Sequence, residues 1–237
     1  MPNRIQTKRQ IWSVNGDGQP RRRRDLLAVE EPLEIQLRAS GERRTVAVTM
    51  RTPGNDYELA AGFLHTEGVI DDKVAIAHMV YCVDGEQGRQ EYNALAVHLR
   101  GEVIPDLPQL ERHFFTNSAC GVCGRAMLDD LATRVLPAQR PDFTVPATLL
   151  TGLPDRLLQH QRVFAGTGGL HAAALFTSDG DLFEVREDVG RHNALDKLIG
   201  WGVLNGRLPF QTGIILVSGR ASYELLYKCR LAGAAVF

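Results

Sequence analysis

The sequence predicts an α/β protein, a three-layer sandwich over residues 161–237 preceded by a smaller α+β region over 25–140, and three observations carry the prediction. Gly213-Ile214-Ile215-Leu216-Val217 is an unbroken apolar run, as a strand covered on both faces requires. His171-Ala172-Ala173-Ala174-Leu175-Phe176 and Leu182-Phe183-Glu184-Val185-Arg186 flank Ser178-Asp179-Gly180-Asp181, and Asp-Gly between apolar runs signals a hairpin. Upstream, Leu33 to Arg38 and Thr45 to Met50 alternate apolar with polar residues about a turn at Ser40-Gly41, as half-buried strands do.

Taken in order, residues 1–24 end in Arg21-Arg22-Arg23-Arg24 and are expected to form a flexible, solvated basic arm ahead of the first strand. After the 33–50 hairpin, Pro53-Gly54-Asn55-Asp56 supplies breakers and a cap, Tyr57 to Thr66 a helical run, and Gly68 its C-terminal end. Strands near His78 to Val83 and Tyr92 to Leu99 are expected to join the hairpin. Cys120-Gly121-Val122-Cys123-Gly124 precedes a helix whose apolar face is Leu128, Leu131, Ala132, Val135 and Leu136. The prolines at 137, 141, 146 and 154 mark residues 141–160 as a linker or loose helical crossover. The last third adds helices from about Arg191 to Ile199 and from about Ser222 to Ala232.

Composition bounds the function. With 237 residues, 44% hydrophobic, 23% charged and a formal net charge of -1, the chain reads as an ordinary globular protein. A charge near zero, without aromatics interleaved among the arginines, argues against a dedicated nucleic-acid binder. No apolar run is long enough to span a bilayer and no apolar signal core opens the chain, so a cytoplasmic protein is expected. Four cysteines, Cys82, Cys120, Cys123 and Cys229, make no disulfide framework at this length. Cys82 and Cys229 lie in apolar stretches and are expected to be buried. Cys120 and Cys123 pair two thiols ahead of a helix N-terminus, which favours the thiolate. Redox chemistry, metal binding and sulfur transfer all use such a pair.

The order hairpin, helix, strand, helix resembles the cytidine deaminase fold, whose members hold zinc with His-Ala-Glu or Cys-Ala-Glu on the first helix and Pro-Cys-x-x-Cys on the second. Here the first helix carries His192-Asn193-Ala194, with alanine where the proton-shuttling glutamate belongs, and the second site reads Ser218-Gly219-Arg220-Ala221-Ser222, without cysteine. The fold is expected to persist without deamination. In place of zinc, Ser218, Gly219 and Arg220 sit at a strand-to-helix turn, where backbone N–H groups, a hydroxyl and a guanidinium suit a phosphate. Glu187-Asp188-Val189-Gly190-Arg191-His192-Asn193 lies at the preceding strand-to-helix turn, and both turns are expected to open on one edge of the sheet. Gly166-Thr167-Gly168-Gly169-Leu170-His171 would complete a pocket.

Five ordered motifs resemble the FdhD family, the formate dehydrogenase accessory sulfurtransferases: residues 51–64 (Arg-Thr-Pro-Gly-Asn-Asp-Tyr-Glu-Leu-Ala-Ala-Gly-Phe-Leu), Cys120-Gly121-Val122-Cys123-Gly124, Thr167 to Ala173, Glu187 to Lys197 and Ser218 to Glu224. The match runs from about Asp25 to the last residue. The resemblance implies a cytoplasmic homodimer that takes sulfane sulfur from a cysteine desulfurase and passes it to the molybdenum cofactor, the bis-molybdopterin guanine dinucleotide form that formate dehydrogenase needs. It implies Cys120 as the persulfide carrier, Cys123 as a relay or assistant, and Arg220, Ser218, Gly219, Arg191, His192 and His171 as contacts to the cofactor's pterin or guanine-nucleotide phosphates, with no metal of the protein's own. The family continues past the position of Phe237 with a further strand, helix and strand, so this chain is expected to be truncated. Rival readings are a cofactor-binding chaperone without obligatory sulfur transfer, a zinc-binding deaminase-like protein using Cys120, Cys123 and two of His113, His171 and His192, and a thiol-disulfide oxidoreductase.

Overall fold

A computed structural model describes residues 4–83, 92–105 and 143–237. The alternation of residues 31–51 builds β3 (Glu31–Ala39) and β4 (Glu42–Arg51), joined by a turn with positive φ at Ser40 and Gly41. Strands β5 (Ile76–Tyr81) and β6 (Ala94–Leu99) complete a four-stranded sheet of order β4-β3-β6-β5, in which β3 and β6 run parallel. Leu33, Ile35, Leu37, Leu95 and Val97 bury one face of it. Helix α1 (Asp56–Thr66) lies on that face. Its entry is fixed by Arg51, fully buried, which grips Asp56 at 3.1 and 2.9 Å, while Tyr81 Oη donates to the same carboxylate at 3.0 Å.

Residues 4–28 correct the expected arm. Gln6–Val14 (β1) and Pro20–Ala28 (β2) form a regular antiparallel hairpin, so the boundary expected at residue 25 falls inside a strand. The ribbon buries no residue fully, though Leu26 and Ala28 lie against Gly166 and Gly169, and it shows no apolar alternation, which is why the arginine run concealed it. Arg22 instead stacks over Trp12, its cross-strand partner, 5.1 Å from the ring centroid.

The last third forms a three-stranded antiparallel sheet of order β8-β7-β9 from β7 (His171–Thr177), β8 (Leu182–Asp188) and β9 (Gly213–Val217), with Gly180 at φ +83° in the turn as its Asp-Gly signal predicts. One face packs on α4 (Arg191–Leu204) and α5 (Tyr223–Leu231) through Ala173, Leu175 and Ile215. The other face is covered by α2 (Ala147–His160), whose Leu153 and Leu157 cluster with Ala172, Ala174, Phe176 and Ile214. Of the two readings of 141–160, linker or loose helical crossover, the helical one holds, and the helix is an outer layer of the sandwich. Its prolines mislead as breakers, because Pro146 caps the helix and Pro154 sits within it. A short helix α3 (Arg162–Thr167) follows, and at the chain's end Val236 bridges in parallel to Ile214 on the free side of β9.

The two regions share one continuous core, running from Leu33 and Leu95 through Leu195 and Ile199 to Ile215. What joins them is the crossing of α1 and α4. A Cβ on Gly62 would lie 1.8 Å from the Asp196 carbonyl oxygen, and one on Gly200 1.7 Å from that of Glu58, so the two backbones touch where only glycine fits. The mixed α/β class stands as predicted. The deaminase comparison stays a likeness of element order.

Candidate functional site

Because β7 runs antiparallel to both β8 and β9, the C-terminal ends of β8 and β9 and the first residue of β7 meet at one edge. Both strand-to-helix turns open there, as the sequence predicts. Ser218 Oγ accepts from Ala172 N at 2.8 Å, and Ser218 N donates to Ala172 O at 2.9 Å, which ties the turn to β7. Gly219 lies between His171 and Arg191: a Cβ there would come within 3.3 Å of His171 Nδ1 and 3.4 Å of Arg191 Cδ. Ser222 caps α5 by accepting from Leu225 N at 3.4 Å, and its Oγ lies 3.5 Å from His192 Nε2. Gly190 opens α4 without a side-chain cap, so the first N–H groups of that helix also face this edge. Arg191, His192, His171, Ser218 and Gly219 are thus neighbours. Arg220 follows on the same turn with its side chain exposed.

The electrostatics favour an anion. Burial, then the Arg191 guanidinium, lowers the basicity of His171 despite Asp188. Burial first, then Arg191 and Lys228, pulls His192 down to about 4. Its 3.3 Å approach to Glu224 is therefore, at neutral pH, a contact of a neutral imidazole rather than an ion pair. Arg191 Nε is buried and has no partner. An orphaned guanidinium N–H costs free energy unless a ligand accepts from it.

The neighbouring carboxylates and Lys197 do different work. Asp188 is fully buried, pairs with Lys197 Nζ at 2.7 Å, and accepts from Thr52 N at 3.1 Å, Gly190 N at 2.8 Å and Asn193 Nδ2 at 3.3 Å. Lys197 Nζ donates also to Thr52 O at 2.8 Å, and Asn193 Nδ2 to Met50 O at 2.8 Å. Glu187 accepts from Val163 N and Phe164 N at 3.0 and 2.8 Å, holding the start of α3. Below His192, Asp196 receives both contacts from Lys228 at 2.8 Å, with Thr66 beside them at 3.0 Å. Burial opposes the Lys228 charge, but the Asp196 carboxylate outweighs it and holds the ammonium. Of the 187–197 motif, only Arg191 and His192 reach the open edge.

On the α2 side of the same edge lies a groove of about 700 Å³, walled by Leu157, Gln161, Phe164, Leu170 and Val217 and reaching Gly168, Gly169, His171 and Ser218. The glycine-rich run thus opens a cavity, as expected, and His171 and Ser218 connect it to the cationic edge. Sequence reasoning passed over Ser222 and Glu224 as partners of His192, although both stand in the 218–224 motif, and over Gln161 and Phe164, whose residue types carry no such signal.

Cys120 and Cys123, with the helix expected after them and His113, lie outside the described residues. Among the described residues no three of His, Cys, Asp and Glu are grouped to hold a metal ion, and no helix is long and apolar enough to cross a membrane. Cys229 is buried, which pushes its thiol far up, as a structural cysteine requires. Cys82, expected buried, is half-buried.

A model of the FdhD/NarQ family matches residues 28–237. The protein of Streptomyces coelicolor named Sulfur carrier protein FdhD is 48% identical over 237 residues, covering 98% of this chain and 82% of that protein. Relatives of the same name are 48% identical in Mycobacterium tuberculosis, over 90% of this chain and 78% of that protein, and 39% identical in Sulfolobus acidocaldarius, over 93% and 79%. In fold, the chain is similar to a solved structure from Desulfotalea psychrophila described as a formate dehydrogenase accessory protein, with a TM-score of 0.69 at 21% identity, covering 97% of this chain and 81% of that one.

Proposed function

The chain belongs to the FdhD/NarQ family, and from that premise we propose that it is a sulfur carrier that serves formate dehydrogenase maturation. In this reading the Cys120 thiolate attacks the outer sulfur of a cysteine desulfurase persulfide. The desulfurase cysteine leaves as thiolate, and Cys120 holds the sulfane sulfur, with Cys123 as relay or protector. The acceptor is the molybdenum cofactor in its bis-guanine-dinucleotide form, which is substrate here. The protein acts in the cytoplasm as a homodimer.

The observation that carries the acceptor half is the convergence at one sheet edge of a guanidinium whose Nε has no partner, a glycine closely flanked by His171 and Arg191, and two helix N-termini. Arg191 and Arg220 would hold phosphates, with N–H groups of α4 and α5 adding donors, while neutral His192 and His171 offer one ring N–H each without adding charge. The apolar groove beside them suits the flat heterocycle of the same ligand. The hairpin, helix, strand, helix order supports a deaminase-like ancestry for this unit. The absent glutamate at Ala194 and the absent cysteines at 218–222 leave it without hydrolytic machinery.

The test is incubation with a cysteine desulfurase and labelled cysteine, followed by peptide mass spectrometry and a formate dehydrogenase activation assay. The expected result is one reductant-labile sulfur on Cys120 and no activation by Cys120→Ala. Full activation by Cys120→Ala would replace the carrier with a cofactor-binding chaperone.

A further inference from the structure

On the face of the four-stranded sheet turned away from α1, the central strand β6 presents the small residues Ala94 and Ala96 beside Cys82, with His98 further along. Cys82 continues β5, donating its N–H to Ala94 O at 2.8 Å, and the register sets Gln36 beside Ala96 and Arg38 beside His98. Side chains from β3 can therefore reach across the alanines to β5. Arg38 Nη2 lies 3.5 Å from Cys82 Sγ, and Gln36 Oε1 3.6 Å from it. Gln36 has no exposed surface, yet its Nε2 has no partner, and Arg38 Nε is likewise buried and unpartnered. A buried polar residue on a sheet, held against a sulfur with donors left over, costs stability unless something accepts from it. A neutral thiol is too weak an acceptor for both groups. A sulfur anion, and the longer perthiolate in particular, would accept from both once the Gln36 amide turns its nitrogen inward.

We propose that Cys82, cradled by Arg38 and Gln36, is a second sulfane-sulfur acceptor in this protein. The inference rests on the sulfur-carrier reading above, but not on Cys120 as the site. In the step, the Cys82 thiolate attacks the outer sulfur of a low-molecular-weight persulfide. A new S–S bond forms to Cys82, the S–S bond of the donor breaks, and the donor leaves as its thiolate with the electron pair. The proton on the transferred sulfur is lost to solvent, and the resulting perthiolate is bound by the Arg38 guanidinium and the Gln36 amide. No net oxidation or reduction occurs.

The probe is glutathione persulfide, given to the full chain and to Cys120→Ala/Cys123→Ala, with sulfur uptake followed in time by peptide mass spectrometry and folding checked by thermal denaturation. The expected result is one reductant-labile sulfur on Cys82 in both proteins and none on buried Cys229. Arg38→Met and Gln36→Leu should each slow uptake at Cys82 about tenfold, the size of one charge-assisted hydrogen bond, without slowing uptake at Cys120. Sulfur on Cys120 with Cys82 unmodified would overturn this inference and leave the carrier reading standing. Sulfur on Cys82 with Cys120 unmodified would do the reverse. Uptake at Cys82 that ignores both substitutions would also overturn it, since the cradle would then play no part.

Discussion

Where α1 meets α4, Asp188 receives a lysine and three N–H donors, Lys197 adds two carbonyls, and Gly62 and Gly200 bring the backbones into contact. One turn away, at the edge of the C-terminal sheet, Arg191 Nε has no acceptor, Arg220 is exposed and two helix N-termini point outward. Both regions draw on the same motif, Glu187 to Lys197. Polar residues in one dense motif thus do two kinds of work. Those whose hydrogen-bonding capacity is met inside the protein weld its two sheets together, and those left with donors to spare stand at the open edge, where the proposed ligand would bind.

If the seam is structural, its variants must lose stability first and binding only as a consequence. Asp188→Ala carries the largest expected effect. It leaves Lys197 buried with only two carbonyl partners and removes the acceptor of three donors, at a cost of about 4 kcal/mol or more. Chemical denaturation should show that loss, and a midpoint unchanged from the parent would break the comparison. Gly200→Ala comes next. Its Cβ meets a backbone carbonyl that no rotamer change can move, so α4 must shift off α1 at about 3 kcal/mol, beyond what alanine returns in helix propensity.

How much of this was legible in the sequence follows from the same physics. Strands β3, β4, β7 and β9 could be read because each buries a face or both, and burial writes a period into the chain, while β8 was read from the Asp-Gly turn before it. The β1–β2 ribbon buries no residue fully, and its arginine run masked the few apolar residues beside it. Helix α2 was legible only as one of two readings, because Pro146 and Pro154 also suit a linker, and the choice falls to Leu153 and Leu157 in a core that only the folded sheet creates. The edge residues Ser218, Gly219, Arg191, His192 and His171 were legible because strand-to-helix turns sit at predictable ends of a sheet. That Asp188, Asn193 and Lys197 belong to the seam was not, since their partners Thr52 and Met50, far away in sequence, are brought to them only by the fold.

At the edge, stability should respond to pH before it responds to truncation. The folded state holds His192 at about 4, against 6.5 when unfolded, so between those values the unfolded chain binds the extra proton. Stability is therefore lost as pH falls from about 6.5 toward 4. After allowance for solvent at this partly covered site, the loss is on the order of 2 kcal/mol. His192→Gln should flatten that slope, and denaturation curves of parent and variant at pH 7.5 and 4.5 measure it; parallel losses would place the titration elsewhere.

Arg220→Met is the smallest perturbation of the fold and the sharpest probe of the comparison. An exposed side chain at a turn, with its hydrophobic length preserved in methionine, should leave the denaturation midpoint within about 0.5 kcal/mol of the parent. Guanosine diphosphate affinity, measured by calorimetry on the same samples, should nevertheless fall about tenfold, because a guanidinium on phosphate contributes a charge-assisted hydrogen bond that nothing else on the turn replaces. Asp188→Ala predicts the opposite ordering, stability lost outright and affinity following the folded fraction. If Arg220→Met instead lost stability and kept its affinity, the edge would be a second weld and the ligand face would have to lie elsewhere on the molecule.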